Sequence, residues 1–300
     1  MEGLLVGHGQ PTWMDITRES IKLNIPEEQV LAEIAQAGYD GAPANPRTGR
    51  SAQETVELYA RYGLKPAPDY LGAAFWKEDQ RERILEQAKR LACFTRDVGC
   101  TELYIIAEGF DYVTTRGQTR QEIAGRVRPE DALSAEEYRQ FAKVLNEVGE
   151  ITLKEGVRSC FHNHVGCVIE TREEIDRLFS LLDRDLVFQG PDIGHLALAG
   201  ADVVQFCRDY ADSIKTLHLK DVHREIMRKG LGEEWDFWDF YDRRIWAELG
   251  EGCVDFPAIF GILQDTGFKG WIIVETDVTG KPSALESAIA SRDYLKSIGI

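Results

Sequence analysis

Short apolar runs recur along the chain, each followed by a longer stretch whose apolar positions return every three or four residues. The short runs predict strands over residues 4–8, 39–44, 64–71, 103–107, 157–162, 186–191, 214–219 and 271–275. The longer stretches predict helices over 26–37, 52–62, 79–98, 134–155, 171–182, 201–210, 256–266 and 283–297. Pro26 with Glu27 and Glu28 opens the first helix and Gly38 stops it, while Gly63, Gly99 and Gly156 stop three others. Ser134-Ala135-Glu136-Glu137 has the form of a capping box, and Thr171-Arg172-Glu173-Glu174 repeats it. Two prolines weaken the third strand, because proline cannot donate to a ladder.

Strict alternation of strand and helix implies a parallel sheet. Eight such units in 300 residues fit an α/β fold closed as a (β/α)8 TIM barrel better than an open sheet. No Gly-x-Gly-x-x-Gly follows the first strand and no Walker-type loop occurs, which weighs against nucleotide-binding folds. No shift of composition marks a boundary, so one domain is expected over residues 1–300, with insertions at 108–133 and 222–247. The first insertion is polar and arginine-rich, suited to a loop over the active face. The second carries six aromatic side chains between Trp235 and Trp246. That is too many for a solvated loop, and predicts a lid or a contact between copies in a homo-oligomer.

The net charge of −16 and pI near 4.9 argue against nucleic acid and anionic membranes as partners, and favour a cation or a small neutral molecule. The six cysteines form no C-x-x-C pair, and several lie in apolar runs, as buried free thiols do. The start of the chain lacks a basic, apolar leader, and no stretch approaches the roughly 18 apolar residues of a membrane span. A soluble cytoplasmic protein is expected.

In a TIM barrel the active site lies where strands end and βα loops begin. His162 and His164 end the fifth strand, and residues i and i+2 of a strand share a side, so both imidazoles are expected to face one point. Asp192 ends the sixth strand, with His195 three residues on. His218 and Lys220 end the seventh strand, and Glu275 with Asp277 the eighth. Each has a plainer reading: Asp192 as a helix cap, His218 as a core histidine, Lys220 as a surface ammonium paired with Asp221. Together, at neighbouring strand ends, they predict one divalent metal site. Imidazoles mixed with carboxylates suit Mn2+, Co2+, Zn2+ or Fe2+ better than Ca2+ or Mg2+. His8, Trp13 and Trp76, near the ends of the first and third strands, are placed in the substrate pocket, together with Glu170 and His195.

The motifs in these stretches carry a resemblance. They are Phe161-His162-Asn163-His164-Val165-Gly166, Asp192-Ile193-Gly194-His195, His218-Leu219-Lys220-Asp221, Gly250-Glu251-Gly252 with Asp255-Phe256-Pro257, and Val274-Glu275. The chain resembles the sugar-phosphate isomerase/epimerase superfamily of xylose-isomerase-like TIM barrels, and within it the inosose (2-keto-myo-inositol) dehydratases of inositol catabolism. The resemblance implies four metal ligands, with Mn2+ or Co2+ expected. Asp192, His218 and Glu275 match the last three. The first, a glutamate in the superfamily, falls here on His162, with His164 and Glu170 as alternatives. Loss of that carboxylate disfavours two-base epimerisation. The implied reaction is dehydration of a keto-cyclitol or keto-sugar, with His164, His195, Lys220 and Glu275 as candidate proton carriers. Isomerisation or epimerisation of a ketose and cleavage of 3-keto-glycosides are the alternatives on this barrel. An abasic-DNA endonuclease and a non-catalytic sugar-binding module rank lower.

Overall fold

A computed structural model describes residues 3–300. Its barrel strands are β1 (Leu4–His8), β2 (Gly41–Pro43), β3 in two pieces (Lys65–Ala67 and Tyr70–Ala73), β4 (Glu102–Ala107), β5 (Arg158–His162), β6 (Val187–Gln189), β7 (Leu217–Leu219) and β8 (Gly270–Val274). The helices are α1 (Glu27–Ala37), α2 (Ala52–Arg61), α3 (Arg81–Asp97), α4 (Ala135–Lys154), α5 (Arg172–Phe179), α6 (Ile193–Leu198), α7 (Val203–Asp209), α8 (Arg224–Gly232), α9 (Phe237–Asp242), α10 (Phe256–Asp265) and α11 (Ala284–Ser297).

The barrel strands pair in parallel as β7-β8-β1-β2-β3 through the first piece of β3, and as β3-β4-β5-β6 through the second. Parallel bridges Gln189–Ile214 and Asp192–His218 join β6 to β7 and close the ring. The break in β3 falls at Pro68-Asp69, where proline withdraws a ladder donor. The fold is therefore the expected (β/α)8 barrel. The capping boxes at Ser134 and Thr171 are present, a third forms at Ser51, and Gly38 ends α1 with φ 87°.

Three differences from the sequence expectation bear on the site. Residues 193–198, to which the sequence pattern assigns no element, form α6, because Asp192 caps its first turn: Oδ1 accepts from the His195 amide at 2.9 Å. The 222–247 segment is folded, holding α8 and α9 and an antiparallel ribbon of Asp221–Val222 with Trp246–Ala247. A hairpin of Met14–Ile16 with Ile21–Leu23 rises after β1.

The period of two divides each strand between two cores. Outward residues such as Leu103, Phe161, Leu217, Ile272 and Val274 pack with the helices. Inward residues Ala67, Tyr104, Trp271 and Ile273 fill the barrel. Gly41 makes room for that filling, since a Cβ there would stand 2.6 Å from the Trp271 ring. All six cysteines are free thiols. Among the described residues no helix is long and apolar enough to cross a membrane.

Candidate metal and proton-transfer site

The inward series of β7 and β8 runs out of the barrel filling and into charge. Thr216 leads to His218 and Lys220, and Ile273 to Glu275 and Asp277. The Asp192–His218 bridge sets the end of β6 beside β7, and the Asn163 side chain ties β5 to the same point. Asn163 Nδ2 donates to the Asp192 carbonyl at 3.2 Å, and Oδ1 accepts from the Asp192 amide at 3.1 Å.

His162, Asp192 and His218 are all buried, and each offers a ligand atom within 4.8 Å of the others. His162 Nδ1 and His218 Nε2 are buried without a hydrogen-bond partner. Buried polar atoms are rarely left so. An N/O donor set with orphaned imidazole nitrogens fits a divalent transition-metal ion. Glu275 adjoins it, with Oε2 3.3 Å from His218 Nδ1. Gly9, at the end of β1, leaves space for this carboxylate, since a Cβ there would lie 2.2 Å from Glu275 Oε1.

Lys220 is buried among three carboxylates, at 2.5 Å from Glu275 Oε2, 3.3 Å from Asp192 Oδ2 and 3.3 Å from Asp277 Oδ1. Burial opposes its charge, but Asp192, Asp277 and Glu275 outweigh that and hold the ammonium well above its usual range. Burial also pushes carboxyls up. For Glu275 the attraction of Lys220 and His218 prevails and holds it well below the carboxylate range. Asp192 stays raised by burial, and Asp277 is raised to about 6. One ammonium satisfies the nearest acid and leaves the other two undercompensated. Asp221, the plainer partner considered for Lys220, instead accepts from the amides of Gly250, Gly252 and Val254. It orders the loop that follows the aromatic segment.

His164 separates from His162. The strand ends at His162, and His164 turns to stack on His195, with ring centroids 3.8 Å apart. The two imidazoles of the His-Asn-His segment therefore serve two neighbouring positions rather than one. His164 Nδ1 lies 2.8 Å from the Val165 carbonyl, which only accepts, so the proton sits on Nδ1 and Nε2 carries the lone pair. His195 is the reverse: Nδ1 accepts from the Val165 amide at 3.3 Å, which puts the hydrogen on Nε2, buried without a partner. Burial keeps both rings neutral, with His164 lowered to about 4. The insertions enclose this pair. Phe110 and Phe237 stand 5.6 and 5.7 Å from His164, and Trp246 stands 4.6 Å from His195.

Four residues expected in the substrate pocket make contacts within the protein. His8 is buried edge-on between Trp13 and Tyr39, and burial lowers it to about 4. Trp13 lies in the core and donates from its indole to Glu33 on α1 at 2.7 Å. Trp76 also lies in the core, edge-on to Tyr112, and anchors the 108–133 segment. Glu170, weighed both as a metal ligand and as a substrate contact, spends its two oxygens on the amides of Gly125 and Gly166 at 2.7 Å each. For Trp13, Trp76 and Glu170, the period of a strand says which residues turn inward but not how a side chain turns once the strand has ended. His8 is the last residue of β1 and shares the outward side with Val6.

Asp277, grouped with Glu275 at the end of the eighth strand by the sequence reading, continues the inward alternation of β8. Two contributors escaped the sequence reading of individual roles. Asn163 stands between the two histidines. Tyr104 packs 4.3 Å from His218 and bonds Thr216 through its hydroxyl at 2.5 Å. It looked like an ordinary core aromatic.

A closed parallel barrel with titratable side chains gathered at the carboxyl ends of its strands carries its candidate site where TIM-barrel enzymes carry theirs. The family described as the xylose isomerase-like TIM barrel matches residues 31–298, and the chain belongs to that family. It is 28% identical over 272 residues to an inosose dehydratase of Geobacillus kaustophilus (strain HTA426), covering 91% of this chain and 87% of that protein. It is 31% identical over 274 residues to the rhizopine catabolism protein MocC of Rhizobium meliloti, covering 89% and 79%. The solved structure of the IolI protein with a bound zinc atom matches with a TM-score of 0.68 at 16% identity, over 98% of this chain and 97% of that one, a likeness of fold.

Proposed function

We propose that the protein is a hydro-lyase that removes water from a keto-cyclitol of the 2-keto-myo-inositol type or a closely related keto-sugar. The observation that carries the reading is a neutral imidazole acceptor and a buried ammonium donor around one set of candidate metal ligands. Its likeness to inosose dehydratases over nine-tenths of the chain supports the substrate class. A divalent cation, Mn2+ or Co2+ in this reading, held by His162, Asp192, His218 and Glu275, supplies the Lewis acidity that makes protons beside a ketone removable.

His164 Nε2 takes the proton from the carbon α to the ketone, and the C–H electron pair becomes the enolate. The β C–O bond then breaks. Lys220 donates a proton to the departing hydroxyl, so that water leaves and an unsaturated ketone remains. Glu275 and Asp277 keep Lys220 charged until that point, and the His195 Nε2 hydrogen orients a substrate hydroxyl. Imidazole at position 162, where the superfamily resemblance expects a second carboxylate, disfavours two-base epimerisation.

The test is to incubate the Mn2+-loaded protein with 2-keto-myo-inositol and follow unsaturated-ketone absorbance. Turnover is expected. The His164→Asn variant should lose about 10²–10⁴-fold in rate and stop incorporating solvent deuterium into unreacted substrate. Glu275→Gln should abolish turnover. An epimerised ketose with no loss of water, or near-normal rates in His164→Asn, would overturn the reading.

A further inference from the structure

A cavity of about 220 Å³ opens on His218 and Glu275. Its floor belongs to the site just described, but its walls do not suit a polyol. Pro11, Met14, Ile21, Pro43, Pro68 and Tyr70 form most of them, with Gln10, Asn45 and Asp69 as the polar exceptions. The hairpin supplies Met14 and Ile21, and the break in β3 supplies Pro68 and Tyr70. The same rim is apolar toward solvent. Ile21, Leu23 and Tyr70 are 68%, 40% and 42% exposed, three of the six exposed large hydrophobic side chains among the described residues.

A keto-cyclitol bears a hydroxyl on every carbon but one. Pressed against proline and aliphatic walls, such hydroxyls lose water without gaining a partner. An alkyl or aryl group gains there instead, by about fourfold in affinity per buried methylene. We propose that this cavity is a subsite for an apolar substituent. On this assignment the substrate is a keto-cyclitol or keto-sugar carrying an alkyl or aryl ether or glycoside on one hydroxyl, with that group seated between the hairpin and Tyr70. This rests on the dehydratase reading and narrows its substrate.

The experiment uses the full metal-loaded chain, 2-keto-myo-inositol and the series of its mono-O-benzyl ethers, with binding read by calorimetry and turnover by absorbance. One ether of the series should bind at least about tenfold more tightly than the parent. Ile21→Asp, a change at an exposed position, should raise KM for that ether while leaving its kcat, and should bring the preference near parity. If neither compound is dehydrated but the ether still binds more tightly, the dehydratase reading falls and the subsite stands. If the parent is turned over and binds as well as every ether, the subsite is overturned while the dehydratase stands. A dimer that Ile21→Asp dissociates, with no ether preference in either form, would assign the rim to a second copy and also overturn the subsite.

Discussion

Asp192 does two jobs with its two oxygens. Oδ1 caps α6 through the His195 amide, while Oδ2 faces Lys220 at 3.3 Å and His218 Nδ1 at 3.9 Å. The cap reading and the ligand reading of a strand-end aspartate are therefore compatible, and substitution separates them. Asparagine caps a helix about as well as aspartate. Asp192→Asn should change folding stability by less than about 1 kcal/mol. Without the charge, it should lose more divalent-cation affinity than the roughly 10–100-fold that outer-sphere partners are worth. Denaturant unfolding and calorimetric titration with Mn2+ measure the two effects. A variant that unfolds early but binds the ion normally would reverse the assignment.

At the scale of elements, the 108–133 segment is held over the barrel by one buried cation. Arg120 is fully buried and grips Glu174 with two hydrogen bonds, of 2.8 and 2.9 Å, while Nη1 also reaches the Asp131 carbonyl at 3.3 Å. Glu174 is the capping-box acid of α5, and Glu170 just before it ties down the Gly125 and Gly166 amides. One network thus fixes the insertion, the start of α5 and the loop that carries His164. Removing one partner of a buried pair leaves the other charge stranded, at a cost of about 3–5 kcal/mol. Arg120→Met should lose that much stability and open the insertion to protease. Loss below 1 kcal/mol, with the segment still resistant, would show that its apolar contacts hold it without Arg120.

At the scale of the whole molecule, the buried histidines couple stability to pH. His8 and His164 stay neutral in the folded chain down to about pH 4, because burial disfavours their charge. Unfolded imidazoles bind protons below about 6.5, so the unfolded state is favoured increasingly as pH falls from there toward 4. Burial holds His162 and His195 well below the usual imidazole range as well, and they act in the same direction. Glu170, raised to about 7 by burial, and Asp277, raised to about 6, act oppositely. Their stabilisation is present at low pH and is lost as pH rises through those values. Asp192, also raised by burial, acts with these two carboxyls, while Glu275, held well below the carboxylate range by Lys220 and His218, acts with the imidazoles. Four imidazoles and Glu275 against three carboxyls predict a melting temperature of the metal-free protein that falls below pH 6.5. His8→Phe keeps a ring between Trp13 and Tyr39 and should flatten that slope, by up to about 3 kcal/mol across the window. An unchanged slope would mean that His8 titrates as in water.

The alternation of apolar runs and helical periods was enough to determine the barrel, because each unit is a local pattern and eight of them leave few ways to close. Caps and stops at Ser134, Thr171 and Gly38 were equally legible, since their chemistry acts within four residues. The period of two also told which residues of β7 and β8 turn inward, and so marked His218, Lys220, Glu275 and Asp277. The partners of these residues were decided only by tertiary structure. Closure between β6 and β7 brings Asp192 to His218, and carboxylates from the ends of β6 and β8 converge on Lys220. The end of β5 sends His164 to His195 instead of to His162. The rotation of Trp13 toward Glu33, and of Glu170 toward two loop amides, depended likewise on elements distant in the chain. Local periodicity fixes the side of a strand, whereas the partner of a buried charge is chosen by whichever distant segment the closed barrel sets against it.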